Sequence, residues 1–132
     1  MYYHRLKRLA KNLNILDSYE ENFLNIKINL QDGKYGTIYI QFDFKENDYS
    51  IRLNVDEDQF CHIYNLGYDE ISTYRDEISR LNFMKKYDKI DLAVKELDRI
   101  INMININCKY RLTDIDFKFA EKAKEIIKVK RS

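Results

Sequence analysis

Cys61 and His62 stand next to each other, a thiol beside an imidazole. That is the pair that nucleophilic catalysis uses. The stretch from Gln59 to Leu66 contains the β-friendly residues Phe60, Ile63 and Tyr64 and reads as a short fourth strand. Adjacent strand residues point to opposite faces, so the two side chains diverge and His62 reads as structural. His4 lies in a basic cluster near the start of the chain and reads as solvated. Asp56, Glu57 and Asp58 offer the oxygen ligands a hard cation takes, but the loop glycine and ligand spacing of an EF-hand are missing, so they read as an acidic turn. Asp43 and Asp48 flank a turn and would serve as acid and base only if burial separated their pKa values. The three glycines, Gly33, Gly36 and Gly67, are too few and wrongly spaced for a phosphate loop or dinucleotide fingerprint. No serine sits in a nucleophile elbow. The expectation is a non-catalytic protein with no cofactor and no metal.

The elements that would position these residues are written most clearly between Leu24 and Val55. Apolar residues alternate with polar ones in three runs: Leu24, Ile26, Ile28 and Leu30; Ile38, Ile40, Phe42 and Phe44; Ile51, Leu53 and Val55. Period-two alternation specifies strands with one apolar and one polar face. Asp32-Gly33 and Asn47-Asp48 supply the turns between them. Before the strands, Tyr2, Leu6, Leu9, Leu13 and Leu16 recur at helical spacing, and Asp17 and Ser18 end the pattern. After them, Ile71, Tyr74, Ile78 and Leu81 predict a helix from about Asp69, and Ile90, Val94, Leu97, Ile101 and Ile104 form the strongest helical stripe. Thr113 with Asp116 resembles a capping box for a last helix carrying Ile115, Phe119, Ala123 and Ile126, with Glu121–Lys124 and Glu125–Lys128 pairs along it.

The 132 residues suit one domain, residues 1–132. The predicted fold is α+β: an antiparallel sheet of three or four strands, covered on one face by the N-terminal and C-terminal helices. With 45% hydrophobic and 34% charged residues the chain is globular rather than disordered. No apolar run reaches the ~20 residues of a membrane span, and no apolar core of a secretory signal opens the chain. Cys61 and Cys108 read as small apolar fillers of a reduced, cytoplasmic protein.

Two surfaces then stand out. The polar sheet face should gather Asn25, Lys27, Asn29, Tyr39, Gln41, Arg52 and Asn54, and Lys27, Tyr39, Gln41, Arg52 and Asn54 are the candidate partner-binding residues. Aromatic rings, Arg and amides together are what interfaces favour. The alternative is nucleic-acid binding by the basic ends of the chain, through Arg5, Arg8, Lys11, Lys124, Lys128 and Lys130. Residues 1–16 contain four Lys or Arg and no acid. An edge strand or the Ile-rich stretch with Ile100, Ile101 and Ile104 would be the route to a homodimer.

The order helix, three strands, helix resembles that of double-stranded RNA-binding domains. Those domains carry a basic cluster where this chain has Asp56-Glu57-Asp58, which argues against the assignment. The abundance of Ile, Asn, Lys and Tyr, all with AT-rich codons, points to a low-GC microbe or its mobile elements. Ser79-Arg80-Leu81-Asn82-Phe83, followed by the stretch from Lys95 to Ile104, resembles one type II anti-CRISPR family over less than a quarter of the chain. The resemblance implies a phage- or mobile-element-encoded inhibitor that works by occupying the surface of a host protein complex. The sequence thus sets the expectation of a non-catalytic interaction protein with a protein partner.

Overall fold

The first apolar stripe folds into α1 (Tyr2–Asn12), which buries Tyr3, Leu6 and Ala10. The helix stops earlier than the stripe suggests. Asn14 takes a left-handed φ of 58°, its N–H bonds Lys11 O at 3.0 Å, and the Ile15 N–H bonds Ala10 O at 2.9 Å. These two bonds form a Schellman ending, which Asn tolerates because it enters the left-handed region at low cost. Leu16 therefore lies outside the helix and opens β1 (Leu16–Glu20), a strand that the alternation did not announce.

The computed structural model describes residues 2–30, 36–74, 83–107 and 114–131. The three alternating runs form β2 (Phe23–Asn29), β3 (Thr37–Asp43) and β4 (Asp48–Asn54). With β1 and β5 (Phe83–Tyr87) they make a five-stranded antiparallel sheet in the order β1-β2-β3-β4-β5. Asn47 closes the β3–β4 turn with φ 52°. The Asp32-Gly33 turn lies outside the described residues. At the near end of that connection, the Leu30 N–H bonds Gly36 O at 2.9 Å.

The register sets the inner face. Leu24, Phe42, Tyr49 and Tyr87 stand opposite one another, as do Ile28, Ile38, Leu53 and Phe83. Ile26, Ile40 and Ile51 share the row between and are almost completely buried. Each such side chain contributes roughly 1.5–3 kcal/mol by leaving water. A one-residue slip would expose all of them, so the alternation locks the register.

The stretch expected as a fourth strand is instead the helix α2 (Glu57–Tyr64). Asp56 is its N-cap: the Gln59 N–H donates to Asp56 Oδ1 at 2.8 Å and the Asp56 N–H donates to Gln59 Oε1 at 3.3 Å. This reciprocal capping box satisfies two amide donors at the helix start and outweighs the β preference of Phe60, Ile63 and Tyr64. The acidic turn is thus the cap and first turn of a helix, where carboxylates meet the positive end of the dipole. Of the helix expected from about Asp69, one turn is present as the short α3 (Tyr68–Ile71); Tyr74 lies in a turn beyond it, and Ile78 and Leu81 lie outside the described residues.

Two long helices follow, α4 (Ile90–Asn107) and α5 (Asp114–Arg131). α1 packs on β1 and β2, α4 packs on β4 and β5, α5 contacts both α1 and α4, and α2 packs on α4. Their buried residues, among them Leu6, Phe60, Ile63, Val94, Leu97, Ile101, Phe119 and Ala123, join the inner sheet face in one core. Ile100 and Ile101 are fully buried in it, so they are not available to a dimer; the side chain of Ile104 lies outside the described residues. No helix among the described residues is long and apolar enough to cross a membrane.

Candidate docking face of the sheet

Because side chains alternate along each strand, the residues between the core rows all emerge on the opposite face. No described helix packs on that face; the helices share the core with the inner one. Lys27 on β2, Tyr39 on β3, Arg52 on β4 and Met84 on β5 stand directly opposite one another in a single row. The Arg52 guanidinium carbon lies 4.4 Å from the Tyr39 ring centroid, and Lys27 Nζ lies 5.8 Å from the same centroid. Two cations therefore flank one aromatic ring, each attracted by its negative face, for about 0.5–1 kcal/mol per contact at an exposed site. Met84, 42% exposed, ends the row.

The neighbouring row holds Asn25, Gln41, Ser50 and Lys86. The Ser50 hydroxyl donates to Gln41 Oε1 at 3.4 Å, and Asn25 Nδ2 donates to Asp17 Oδ2 at 3.4 Å. On the other side of the Tyr39 row lie Asn29, Thr37 and Asn54, with the Thr37 hydroxyl donating to Asn29 Oδ1 at 3.2 Å. At the hairpin end the row is Glu20, Phe23, Asp43 and Asp48. Asp43 and Asp48 do face each other there, but Asp43 Oδ1 accepts from the Lys45 and Glu46 N–H groups at 3.1 and 3.2 Å. That bonding is the local closure of a tight turn, at a solvent-exposed end of the sheet.

Two polar atoms on this face are buried without a hydrogen-bond partner: Arg52 Nε and Asn25 Oδ1. An orphan of this kind costs about 1–3 kcal/mol, more for a charged group.

All five candidate partner-binding residues, Lys27, Tyr39, Gln41, Arg52 and Asn54, thus share one face. Met84 and Lys86 join them, and sequence reasoning missed both with β5. The missing signal was alternation: Lys85 occupies an inward position opposite Ile51, where an apolar residue would be expected. Its ammonium is accommodated 4.5 Å from the Tyr64 ring centroid. Arg99 reaches the same ring at 5.3 Å and donates to Ile63 O at 2.8 Å, so it holds α2 to α4. Beside it, burial and the Glu96 carboxylate push the Tyr87 hydroxyl up to about 12, against a smaller opposing effect of Arg99.

The candidate nucleic-acid residues divide. Arg5, Arg8 and Lys11 are exposed on α1, and Lys11 lies 5.6 Å from the Tyr19 ring centroid, a ring that Lys7 also covers at 3.8 Å. Lys124 on α5 is paired with Asp98 of α4 at 2.9 Å rather than with Glu121. The side chains of Lys128 and Lys130 lie outside the described residues. Cys61 and His62 sit on α2, not on a strand; Cys61 packs against the core and His62 is exposed. Cys108 and the Thr113 capping box lie outside the described residues. Among the described residues no group of three His, Cys, Asp or Glu is placed to hold a metal ion.

No family model, curated protein or solved structure matches the chain.

Proposed function

We propose that this chain is a non-catalytic, cytoplasmic interaction protein that docks a protein partner on the outer face of its sheet. The observation that carries this reading is the Lys27–Tyr39–Arg52 row. It combines an aromatic ring and two flanking cations on a face that no described helix covers. Tyr and Arg are the residues on which interfaces concentrate binding energy, and a guanidinium makes strong charge-assisted bonds to carboxylates. The form in which the partner is a host complex inhibited by a mobile-element protein rests on the sequence resemblance alone.

The test is the double variant Tyr39→Ala/Arg52→Ala. Tagged wild type and variant are used to capture partners from the native host, with both protein and nucleic acid identified. The expected result is loss of the wild-type protein partner from the variant with an unchanged circular dichroism spectrum. Equal capture by both rejects docking of the captured partner on the sheet face.

A second reading, binding of nucleic acid, is favoured by one observation: α1 packs against α5, and these are the two helices that carry the basic residues. Such binding would weaken steeply with salt as counterions are released. Absence of a gel shift at low salt rejects it.

A further inference from the structure

Charge on the outer face is arranged in stripes. The Tyr39 row carries Lys27 and Arg52, and the row at the hairpin end carries Glu20, Asp43 and Asp48. The two rows are four residues apart along each strand, about 13 Å at the rise of an extended chain. Midway between them lies the row of Asn25, Gln41, Ser50 and Lys86, uncharged except at its β5 end. This pattern is its own complement. A two-fold axis lying in the face along the Asn25–Gln41–Ser50 row exchanges the cationic row with the acidic one.

We propose that two copies of this chain pack outer face to outer face about that axis, as an isologous dimer. The inference rests on the reading of this face as a protein-docking surface and names the partner as a second copy. On β4, Arg52 of each copy meets Asp48 of the other. On β3, the Tyr39 hydroxyl meets the Asp43 carboxylate, and on β2, Lys27 lies over the Phe23 ring. In each case a long side chain faces a shorter or flatter one, which suits the ~10 Å separation of stacked sheets. Asn25 falls on the axis row, where the amides of the two copies meet. Arg52 gains a carboxylate for its guanidinium. Lys86 lies at the β5 end of the row, at the rim, where its ammonium stays in water.

Size is consistent with a dimer. Three seven-residue strands and two five-residue strands at ~4.8 Å spacing give a face of about 490 Å², or roughly 1,000 Å² over two copies, the lower bound for a specific interface. The stripes also discriminate between partners. A nucleic acid crossing this face would place phosphates on Glu20, Asp43 and Asp48, whereas a second copy places cations there.

The test is sedimentation velocity on the full chain over a range of concentrations at low salt, with Arg52→Asp, Asp48→Arg and the combined swap. The wild type should form a reversible dimer that weakens with salt. Each single variant places like charges opposite each other twice per dimer and should weaken association by tenfold or more, since misplaced charges at an interface cost several kcal/mol. The combined swap should restore it. Arg52 and Asp48 are too far apart within one copy to pair, so restoration reports a contact between copies. Circular dichroism melts of all three check that each is folded, and Asp48 begins its strand in an exposed position where replacement does not touch the core.

A chain that is monomeric throughout overturns the dimer. So does a dimer that Arg52→Asp leaves intact, or a loss that the swap fails to restore. A monomeric wild type that still captures a protein through Tyr39 and Arg52 rejects self-association while keeping the docking reading. A swap-dependent dimer whose Tyr39→Ala/Arg52→Ala variant captures the same proteins as wild type supports self-association and rejects heterologous docking on this face.

Discussion

Arg52 and Tyr39 are directly opposed across β3 and β4, and the guanidinium of one rests 4.4 Å from the ring centroid of the other. The contact orders two large side chains on a surface that contributes nothing to the core. It leaves Arg52 Nε buried without a hydrogen-bond partner. In the isolated protein the pair should be weakly coupled. A double-mutant cycle of Tyr39→Ala and Arg52→Ala, followed by urea denaturation, is expected to give a coupling of about 0.5–1 kcal/mol. A coupling near zero would mean that the ring and the cation are placed independently, and the row would lose its claim to be preorganised.

Gly36 introduces β3 with φ 113°, and a Cβ at this position would stand 2.4 Å from the backbone oxygen of Asn54. Both the dihedral and the space exclude a side chain. Gly36→Ala should destabilise the protein by roughly 1–3 kcal/mol, because the strained backbone and the clash with fixed main chain add to each other. The reading is the urea midpoint. An unchanged midpoint would show that the β2–β3 connection adjusts freely.

Asp56 and Gln59 exchange hydrogen bonds at the start of α2, and Gln59 is 2% exposed. Asp56→Ala removes the cap and is expected to cost about 1 kcal/mol, within the 0.5–2 kcal/mol range of helix caps. Asp56→Ser should recover most of it. Equal losses from Ala and Ser would show that the Asp56 side chain stabilises α2 by its charge alone and not as a cap.

The Tyr87 hydroxyl is buried without a partner, and its ionisation is displaced upward from 10.0 to about 12 by burial first and by Glu96 second. Burial and Glu96 also push Tyr64 upward. Between pH 10 and 12 the folded chain therefore holds phenolic protons that the unfolded chain has released. Stability from this source is complete below pH 10 and falls as pH rises toward 12. Denaturation midpoints from pH 8 to 12 should be level at first and then decline. Tyr87→Phe should make the decline shallower, and at neutral pH it should change stability by at most about 1 kcal/mol, in the stabilising direction, since it removes an orphaned hydroxyl. A destabilised Tyr87→Phe would reveal a hydrogen bond made by that hydroxyl.

The sequence by itself determined the central strands and the two sheet faces. Strict alternation leaves one register in which Ile26, Ile40 and Ile51 are buried together, and that register carries Lys27, Tyr39, Gln41, Arg52 and Asn54 to the other side. α1 and α4 were legible for the same reason, since each carries its apolar stripe at helical period. The edges were decided by tertiary structure. β1 buries little of its length; beyond its ladder with β2 it is held from α1, by Lys7 over the Tyr19 ring and by the Tyr3 hydroxyl donating to Glu20 O. β5 places Lys85 inward, which is tolerable only because Tyr64 arrives from α2 to meet it. Neither interaction is local, so neither leaves a periodic mark. Phe60, Ile63 and Tyr64 fit a strand or a helix equally well by composition. The Asp56–Gln59 spacing was the written signal for the helix, and packing against α4 turned that signal into structure.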